Sequence, residues 1–231
     1  MTWGDPACGG DSSCVKDQLK DVKQIQATCA AFAALTHHGL VVTWGDEDRG
    51  GDSSEASEHL HDVQHLQSTS AAFSALRGDG CVYAWGDVAR GGDCSTVQEQ
   101  LRGVQQLQAT LSAFAALRRD GSVITWGDAV RGGDSSKVQS ELRDVQQIQA
   151  SGAAFAAIRS DGKVITWGDS VRGGDSTLVQ EQLINVQQIQ ASTSAFTALR
   201  SDGVVVSWGA ADCGGDCRKS GSEHFVSEFS S

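Results

Sequence analysis

Residues 164–169 (VITWGD), followed by residues 173–175 (GGD), decide how this chain folds. The same pattern returns at a constant interval, because each tryptophan lies 41 residues after the previous one. The six tryptophans are Trp3, Trp44, Trp85, Trp126, Trp167 and Trp208. A unit of this length is too short to be stable alone, so the copies must bury their apolar faces against one another. The sequence therefore predicts one cooperative array of repeats.

The repeat array is predicted to occupy residues 1–210. Its copies are residues 3–43, 44–84, 85–125, 126–166 and 167–207, with a partial copy at 208–217. Residues 218–231 depart from the pattern and are predicted to form a C-terminal tail, either docked or disordered.

Each copy contains three predicted strands, as the fourth copy illustrates. Its strands are expected at residues 145–150, 153–158 and 163–167, and the last two are joined by an Asp-Gly hairpin turn at 160–162. The alanine content of the second segment also fits a helix. A strand is favoured because the segment is short and apolar at both odd and even positions.

A short helix of about two turns is predicted before the first strand of each copy. Its start is marked by a Gly-Asp-Ser turn, and a Ser or Thr is followed three residues later by Gln, which is typical of a capping box. The three candidate boxes are Ser95 with Gln98, Ser136 with Gln139, and Thr177 with Gln180.

Three antiparallel strands per copy, apolar on both faces, predict an all-β protein: a β-propeller or an open propeller arc of about five three-stranded blades. The alanine-rich strand is expected to be innermost, because small side chains let sheets approach near the axis. The recurring aromatic residues are expected in the core, with phenylalanine between blades and tryptophan on the outer strand. These structural residues are Phe32, Phe73, Phe114, Phe155, Phe196, Trp44, Trp85, Trp126, Trp167 and Trp208.

The residues 161–169 (DGKVITWGD), with 186–191 (VQQIQA) and 195–199 (AFTAL), resemble the repeat of the regulator of chromosome condensation family. The short period is most similar to the compact repeats of β-lactamase-inhibitor protein II. Three features depart from the family pattern. The inner-strand histidine is replaced by Ala or Ser, the Gly-Gln-Leu-Gly loop is Gly-Gly-Asp-Ser, and the loop proline is missing.

Ring closure is a further departure, since the family usually closes with seven blades and this chain has strands for five. A five-bladed ring, an open arc and a part of a longer protein are the alternatives. The open arc is favoured, because the first copy of the third strand is truncated at Trp3.

The charge and apolar content of the chain limit which partners and locations are expected. The chain has 18 basic and 29 acidic residues, a formal net charge of −11, which argues against nucleic acid as a partner. No apolar run is long enough to span a membrane and no secretory signal is recognisable, so a cytoplasmic or nuclear location is expected.

Cys8 and Cys213 share one repeat position; free thiols are expected, and a terminal disulfide or metal clip is the alternative.

Arginines at one repeat position are the candidate partner-binding residues: Arg49, Arg90, Arg131 and Arg172. They follow the third strand and would form an arc of guanidinium groups suited to carboxylate or phosphate groups. The alternative is pairing with neighbouring aspartates. A second set, expected on the opposite face with the same alternative, contains Arg77, Arg118, Arg159 and Arg200.

Other polar sets are weaker candidates. Two rings of aspartates, one beginning at Asp46 and one at Asp52, could bind Ca²⁺, although helix capping explains the second ring. The histidines His59, His61 and His65 cluster in the second copy only and are expected to be solvated surface. No catalytic residues, metal ligands or cofactor are assigned.

The sequence thus predicts a non-catalytic module that presents loops to a protein partner. The family resemblance implies a range of roles: exchange of guanine nucleotide on a small GTPase, adaptor modules in HERC-type ubiquitin ligases, and enzyme inhibition. The alternative is a multivalent lectin-like propeller, since near-identical copies would carry equivalent glycan or small-ligand sites.

Overall fold

The computed structural model describes residues 2–216, so Cys217 and the predicted tail at 218–231 lie outside the described residues. The described chain contains five three-stranded antiparallel sheets, each with its strands in chain order. The strands are β1 (Val22–Ala27), β2 (Ala31–Thr36), β3 (Val41–Gly45), β4 (Val63–Ser68), β5 (Ala72–Arg77), β6 (Val82–Gly86), β7 (Val104–Ala109), β8 (Ala113–Arg118), β9 (Val123–Gly127), β10 (Val145–Ala150), β11 (Ala154–Arg159), β12 (Val164–Gly168), β13 (Val186–Ala191), β14 (Ala195–Arg200) and β15 (Val205–Gly209). We number the sheets as blades 1 to 5.

The connections between blades are short helical turns. The 3₁₀ turns are Pro6–Cys8, Ser13–Val15, Glu47–Arg49, Ser54–His59, Val88–Arg90, Ser95–Gln100, Ser170–Arg172, Gln180–Gln182 and Ala211–Cys213, and Ala129–Gly133 forms a π-type turn. The alanine-rich segment is a strand in every blade, as predicted. The Asp-Gly turn is also confirmed, since Gly162 has a φ of 74°, which glycine adopts without strain.

The order of strands around the axis differs from the prediction. The alanine-rich strand is the central strand of each sheet, and the first strand of each copy is innermost, where it contacts its counterpart in the next blade. Glutamine side chains join these inner strands: Gln24 Nε2 donates to the Leu66 carbonyl at 2.9 Å, and Leu66 N–H donates to Gln24 Oε1 at 3.1 Å. In blades 2 to 4 a neighbouring sheet covers each face of the central strand, and the small alanine side chains allow this close packing.

The aromatic residues form the core between blades, as predicted. Phe114 is fully buried and stacks on Trp126 across β8 and β9, with ring centroids 5.2 Å apart. The indole Nε1 of Trp126 donates to the Gly91 carbonyl of the preceding connection at 3.0 Å. The same stack and hydrogen bond occur in all five blades, so each Trp links its own sheet to the connection before it.

The predicted capping boxes are wrong. The Gln98 side chain does not return to the Ser95 backbone; its Nε2 donates to the Val82 carbonyl at 3.0 Å, and the Gln139 and Gln180 amides bond β9 and β12 in the same way. The Ser95 N–H is satisfied by the Asp93 carboxylate at 2.8 Å. The aspartate therefore caps the turn, and the glutamine fastens the turn to the outer strand.

The array is open within residues 2–216. Backbone hydrogen bonds link the hairpins of consecutive blades from Cys29 through Ser70, Leu111 and Gly152 to Thr193. The outward face of blade 1 and the outward face of blade 5 both expose apolar side chains, with Ile25 58% exposed and Val205 50% exposed. The open arc favoured by the sequence is therefore what the described residues form.

Candidate functional site

The four candidate arginines lie on one face of the arc. Arg49, Arg90 and Arg172 each end the 3₁₀ turn that follows the outer strand, and Arg131 lies at the same position in the π-type turn. An aspartate caps each turn; for example, Asp87 Oδ1 accepts the Ala89 N–H at 2.8 Å. A capped turn of this kind holds its last side chain close to a fixed position. We call this set, with the exposed valines described below, the arginine face.

Local contacts hold three of the four guanidinium groups. Arg90 Nη1 donates to Ser70 Oγ at 2.8 Å, and its Nε lies 3.4 Å from Asp87 Oδ2. Arg131 Nη1 donates to Ser112 Oγ at 3.0 Å. Arg49 Nη1 lies 3.3 Å from Cys29 Sγ, its Nε lies 3.9 Å from Asp46 Oδ2, and the sulfur followed by the carboxylate raises the pKa of Arg49. The predicted pairing with neighbouring aspartates is therefore present at two of the four positions.

Arg172 differs from the other three. Among residues 2–216 its guanidinium has no hydrogen-bond or ion-pair partner. The reason is the sequence of the adjacent hairpin, where Gly152 and Ala153 stand at the positions that carry Ser70 and Ser112 in other blades. Its charge is therefore available to a partner without breaking an existing contact.

Exposed valines accompany the arginines on the three middle turns. Val88, Val130 and Val171 are 68%, 71% and 69% exposed, and each lies one or two residues before its arginine. Leu111 on the adjacent hairpin is also exposed. Sequence reasoning missed these residues, although a signal existed: the valines lie in a turn that does not contribute to the core. A surface combining arginine with apolar side chains has the composition of an interface.

The turn after blade 1 has a different chemistry. Glu47 and Asp48 occupy positions that carry uncharged side chains in the three following turns, all of them apolar except Ser170. The arginine face is therefore cationic and apolar in its middle and acidic at its N-terminal end.

Two clefts lie at equivalent positions of the repeat. The cleft between blades 1 and 2 has a volume of about 1390 Å³ and is acidic, with a lining that includes Asp46, Glu47 and Glu55. The cleft at blades 4 and 5 has a volume of about 810 Å³, and Leu178 and Val205 are among its lining residues. Nearly identical copies thus form clefts of different chemistry, because some residues that vary between copies, such as Glu55 and its counterpart Leu178, lie in these linings.

The second arginine set is held by ion pairs at the hairpin turns. Each arginine lies next to the aspartate of its Asp-Gly turn: Arg77 with Asp79 at 3.1 Å, Arg118 with Asp120 at 3.1 Å, Arg159 with Asp161 at 3.5 Å and Arg200 with Asp202 at 2.7 Å. Pairing therefore accounts for this set.

The aspartate rings are engaged by the backbone. Asp169 Oδ1 accepts the Val171 and Arg172 N–H groups at 2.9 and 3.3 Å, and Asp175 Oδ1 accepts the Thr177 N–H at 2.9 Å. Hydrogen bonds from Thr177 lower the pKa of Asp175. Within residues 2–216, no three His, Cys, Asp or Glu side chains are arranged to hold a metal ion.

The histidines of the second copy are not brought together as a site. His59 stacks on Tyr83 with ring centroids 4.1 Å apart, and His61 is exposed on the surface. His65 lies on β4, 3.3 Å from the amide of Gln67; burial, followed by the charge of Lys23, lowers its pKa.

Cys8 and Cys213 are both exposed free thiols, so the alternative of a disulfide between them is wrong for this structure.

Five radially repeated three-stranded sheets define a propeller-type repeat protein, and solved structures share this fold. In Kap60 bound to yeast RCC1 (Prp20), the similarity has a TM-score of 0.57 at 19% identity and covers 85% of this chain and 57% of that one. Prp20p from Saccharomyces cerevisiae, described with its binding to Gsp1p and histones, gives 0.56 at 18% identity, covering 85% and 59%. Human WBSCR16 gives 0.53 at 21% identity, covering 81% and 61%.

This chain therefore has the fold of RCC1-type propeller blades, which confirms the resemblance drawn from the repeat. It spans about three fifths of the length of these proteins. No protein-family model and no curated protein sequence matches it. Within the described residues, no helix has the length and apolar character required to cross a membrane.

Proposed function

We propose that this chain is a non-catalytic protein-interaction module whose arginine face binds a protein partner. The observation that carries the proposal is the pairing of an exposed valine with a positioned arginine on each of three consecutive turns. Apolar side chains supply buried area in an interface, and arginine supplies several hydrogen bonds from one rigid group. The turns belong to a packed array, so little conformational entropy is lost on binding.

The partner that fits this face is an acidic protein segment with interspersed apolar side chains. The arc of guanidinium groups would bind its carboxylates, and the valines and Leu111 would contact its apolar residues. Arg172 is the expected anchor, because a partner carboxylate can bind it without displacing an internal contact.

The similar structures support this proposal in a general way, since the yeast protein is described with Kap60, Gsp1p and histones. We extend to this chain only the use of the propeller as a protein-binding scaffold. Nucleotide exchange and a ubiquitin-ligase adaptor role are narrower hypotheses. The net charge of −11 favours protein over nucleic acid as the partner, and we place the module in the cytoplasm or nucleus.

Affinity capture from a lysate of the source organism tests the proposal when variants are compared side by side. One bait changes Arg49, Arg90, Arg131 and Arg172 to Ala, and a second changes Val88, Val130 and Val171 to Ser. A control changes Arg102 and Arg143, which are exposed at another repeat position, to Ala. A partner retained by wild type and control and reduced about tenfold or more by both test baits supports the arginine face.

The single variants sharpen the result. Arg172→Ala should weaken binding more than Arg90→Ala, because the Arg90 guanidinium already bonds Ser70 and pairs with Asp87. Equal retention of every captured protein by wild type and by both test baits would contradict the proposal.

A multivalent glycan or small-ligand binder remains the second hypothesis. It requires equivalent sites, whereas the equivalent clefts at blades 1–2 and 4–5 differ in charge and apolar lining. This difference favours the protein-interaction module. Binding of one glycan at several equivalent sites per chain, measured by calorimetry after a glycan-array screen, would reverse that preference.

A further inference from the structure

The two ends of the arc expose halves of the same interface. Between blades 3 and 4, the side facing the C-terminus contributes Leu117 and Val123, and the side facing the N-terminus contributes Val145 and Ile148, all in one buried cluster. The same two faces meet at each of the four junctions between consecutive blades.

The end faces keep the residue types of this interface. On blade 1, Ile25 occupies the position of Ile148 and is more than half exposed. On blade 5, Leu199 and Val205 occupy the positions of Leu117 and Val123 and are also exposed. Both ends therefore present apolar side chains whose counterparts pack into the internal junctions, where all are buried except the partly buried Val41.

Gly214, on the last connection, also lacks the neighbour that its equivalents have. In the connections before it, the glycine at this position has a positive φ and packs against the phenylalanine of the following blade; a Cβ added at Gly91 would lie 2.7 Å from the Phe114 ring. Gly214 has the same conformation, with a φ of 96°, yet no atom of the described residues 2–216 lies within 4 Å of a Cβ placed there. The C-terminal end thus holds a preformed position for a phenylalanine of a further blade.

We propose that the outward face of blade 5 packs against the outward face of blade 1 of a second copy of this chain, head to tail. The complementarity is built into the repeat, because every residue at the new junction has a counterpart at an internal one. In the assembly, Ile25 of one copy contacts Leu199 and Val205 of the other, and Gly214 seats against Phe32. Such a contact is heterologous, so it closes into a ring of copies or propagates.

The receiving copy must release part of its N-terminus. Residues 207–216 of one copy occupy the same repeat positions as residues 2–11 of the receiving copy. The two segments would therefore compete for the same place against blade 1. Trp3 is 84% exposed, which shows that this segment is incompletely packed in the single chain. The Gly214 carbonyl would then accept the Trp44 Nε1–H, which in the single chain is bonded to Gly9 at 3.0 Å.

The test measures molar mass by sedimentation and light scattering on the 231-residue chain over about a hundredfold range of concentration. Wild type should increase in mass with concentration. Ile25→Asp and Val205→Asp should each weaken association about tenfold or more, because each places a charge in the new apolar junction. Ile184→Asp is the control: it changes an exposed apolar residue at the connection between blades 4 and 5, at the repeat position that carries Arg102 and Arg143 in other copies, and should leave the mass unchanged.

Mixing the two end variants identifies the geometry. Ile25→Asp retains an intact blade 5 face and Val205→Asp retains an intact blade 1 face, so each is monomeric alone while their mixture forms dimers that grow no further. Association of either variant alone at the wild-type level would overturn the head-to-tail contact. Both variants lie at exposed positions, and circular dichroism checks that they remain folded.

The remaining occupant to exclude is the segment 217–231. A chain ending at residue 216 should associate at least as strongly as the full chain if a second copy covers blade 5. If the full chain is monomeric at every concentration and association appears only after truncation, the segment 217–231 covers that face and the proposal is overturned. A monomer in both forms also overturns it.

Discussion

Ile25 and Ile148 occupy the same repeat position, one on the outward face of blade 1 and the other between blades 3 and 4. The first is largely exposed and the second is fully buried. Their strands have the same length and the same bulged pairing with the central strand. The difference shows that local sequence determines the strand, whereas burial depends on whether a neighbouring blade is present.

Deleting a whole copy is expected to have the largest effect on unfolding. Removing residues 126–166 joins Thr125 directly to Trp167 and keeps the repeat in register. In an open arc the deletion removes one blade and one junction, so unfolding should remain cooperative and the urea m-value should fall by about a fifth. Urea unfolding followed by tryptophan fluorescence gives both quantities.

A closed ring would respond differently to that deletion, because removing a blade leaves a gap that strains the remaining junctions. Loss of the cooperative transition would therefore contradict the open arc.

Truncation of the two equivalent isoleucines should separate the interior from the end. Ile148→Ala is expected to lower the free energy of unfolding by about 2–5 kcal/mol, since it leaves a cavity in a packed junction. Ile25→Ala should cost less than about 1 kcal/mol, because its side chain is already in water in the single chain. Equal losses, measured at a concentration where the chain is monomeric, would show that blade 1 is covered in solution.

Two glycines provide a smaller and more local comparison. Gly91 and Gly214 have nearly equal φ values of 93° and 96°, so substitution by Ala introduces similar backbone strain of about 1 kcal/mol or more at each. Only Gly91→Ala also brings a Cβ against the Phe114 ring. Gly91→Ala should therefore lower the melting temperature more than Gly214→Ala in calorimetry, and an equal shift would mean that the ring yields without cost.

The smallest expected effect concerns pH and the junction of blades 1 and 2. Burial, followed by the charge of Lys23, lowers the pKa of His65, so the folded state binds a proton less readily than the unfolded state. Stability is therefore retained above the unfolded pKa of about 6.5 and decreases as the pH falls below it. His65→Gln, which introduces the residue found at this position in blades 3 to 5, should reduce the loss between neutral pH and pH of about 5.

Denaturant unfolding at the two pH values measures this difference. The aspartate caps remain in both proteins, so their common loss of stability in acid cancels from the comparison. A pH dependence unchanged by His65→Gln would contradict the role assigned to His65.

The arginines of the candidate site could be predicted from the repeat pattern in the sequence. The equivalent arginines were identified from their spacing, and the structure places all four on corresponding turns. The availability of Arg172 was not predicted, because it depends on the absence of a hydroxyl in a hairpin twenty residues earlier in the chain. The exposure of the neighbouring valines was not predicted, because it depends on how each turn is placed on the surface of the array.

The sequence by itself determined the 41-residue period, the three strands of each blade, the Asp-Gly turns and the stacking of a Phe on a Trp in the core of each blade. These features follow from side-chain alternation and turn chemistry, which act over a few residues. Tertiary structure alone decided that the glutamine-bearing strand is innermost, that Gln98 bonds Val82 instead of closing a capping box, and that the two ends stay apart. The physical reason is that nearly identical copies have nearly identical local sequences and so form the same local structure. Which of their faces are covered depends only on the position of each copy in the array.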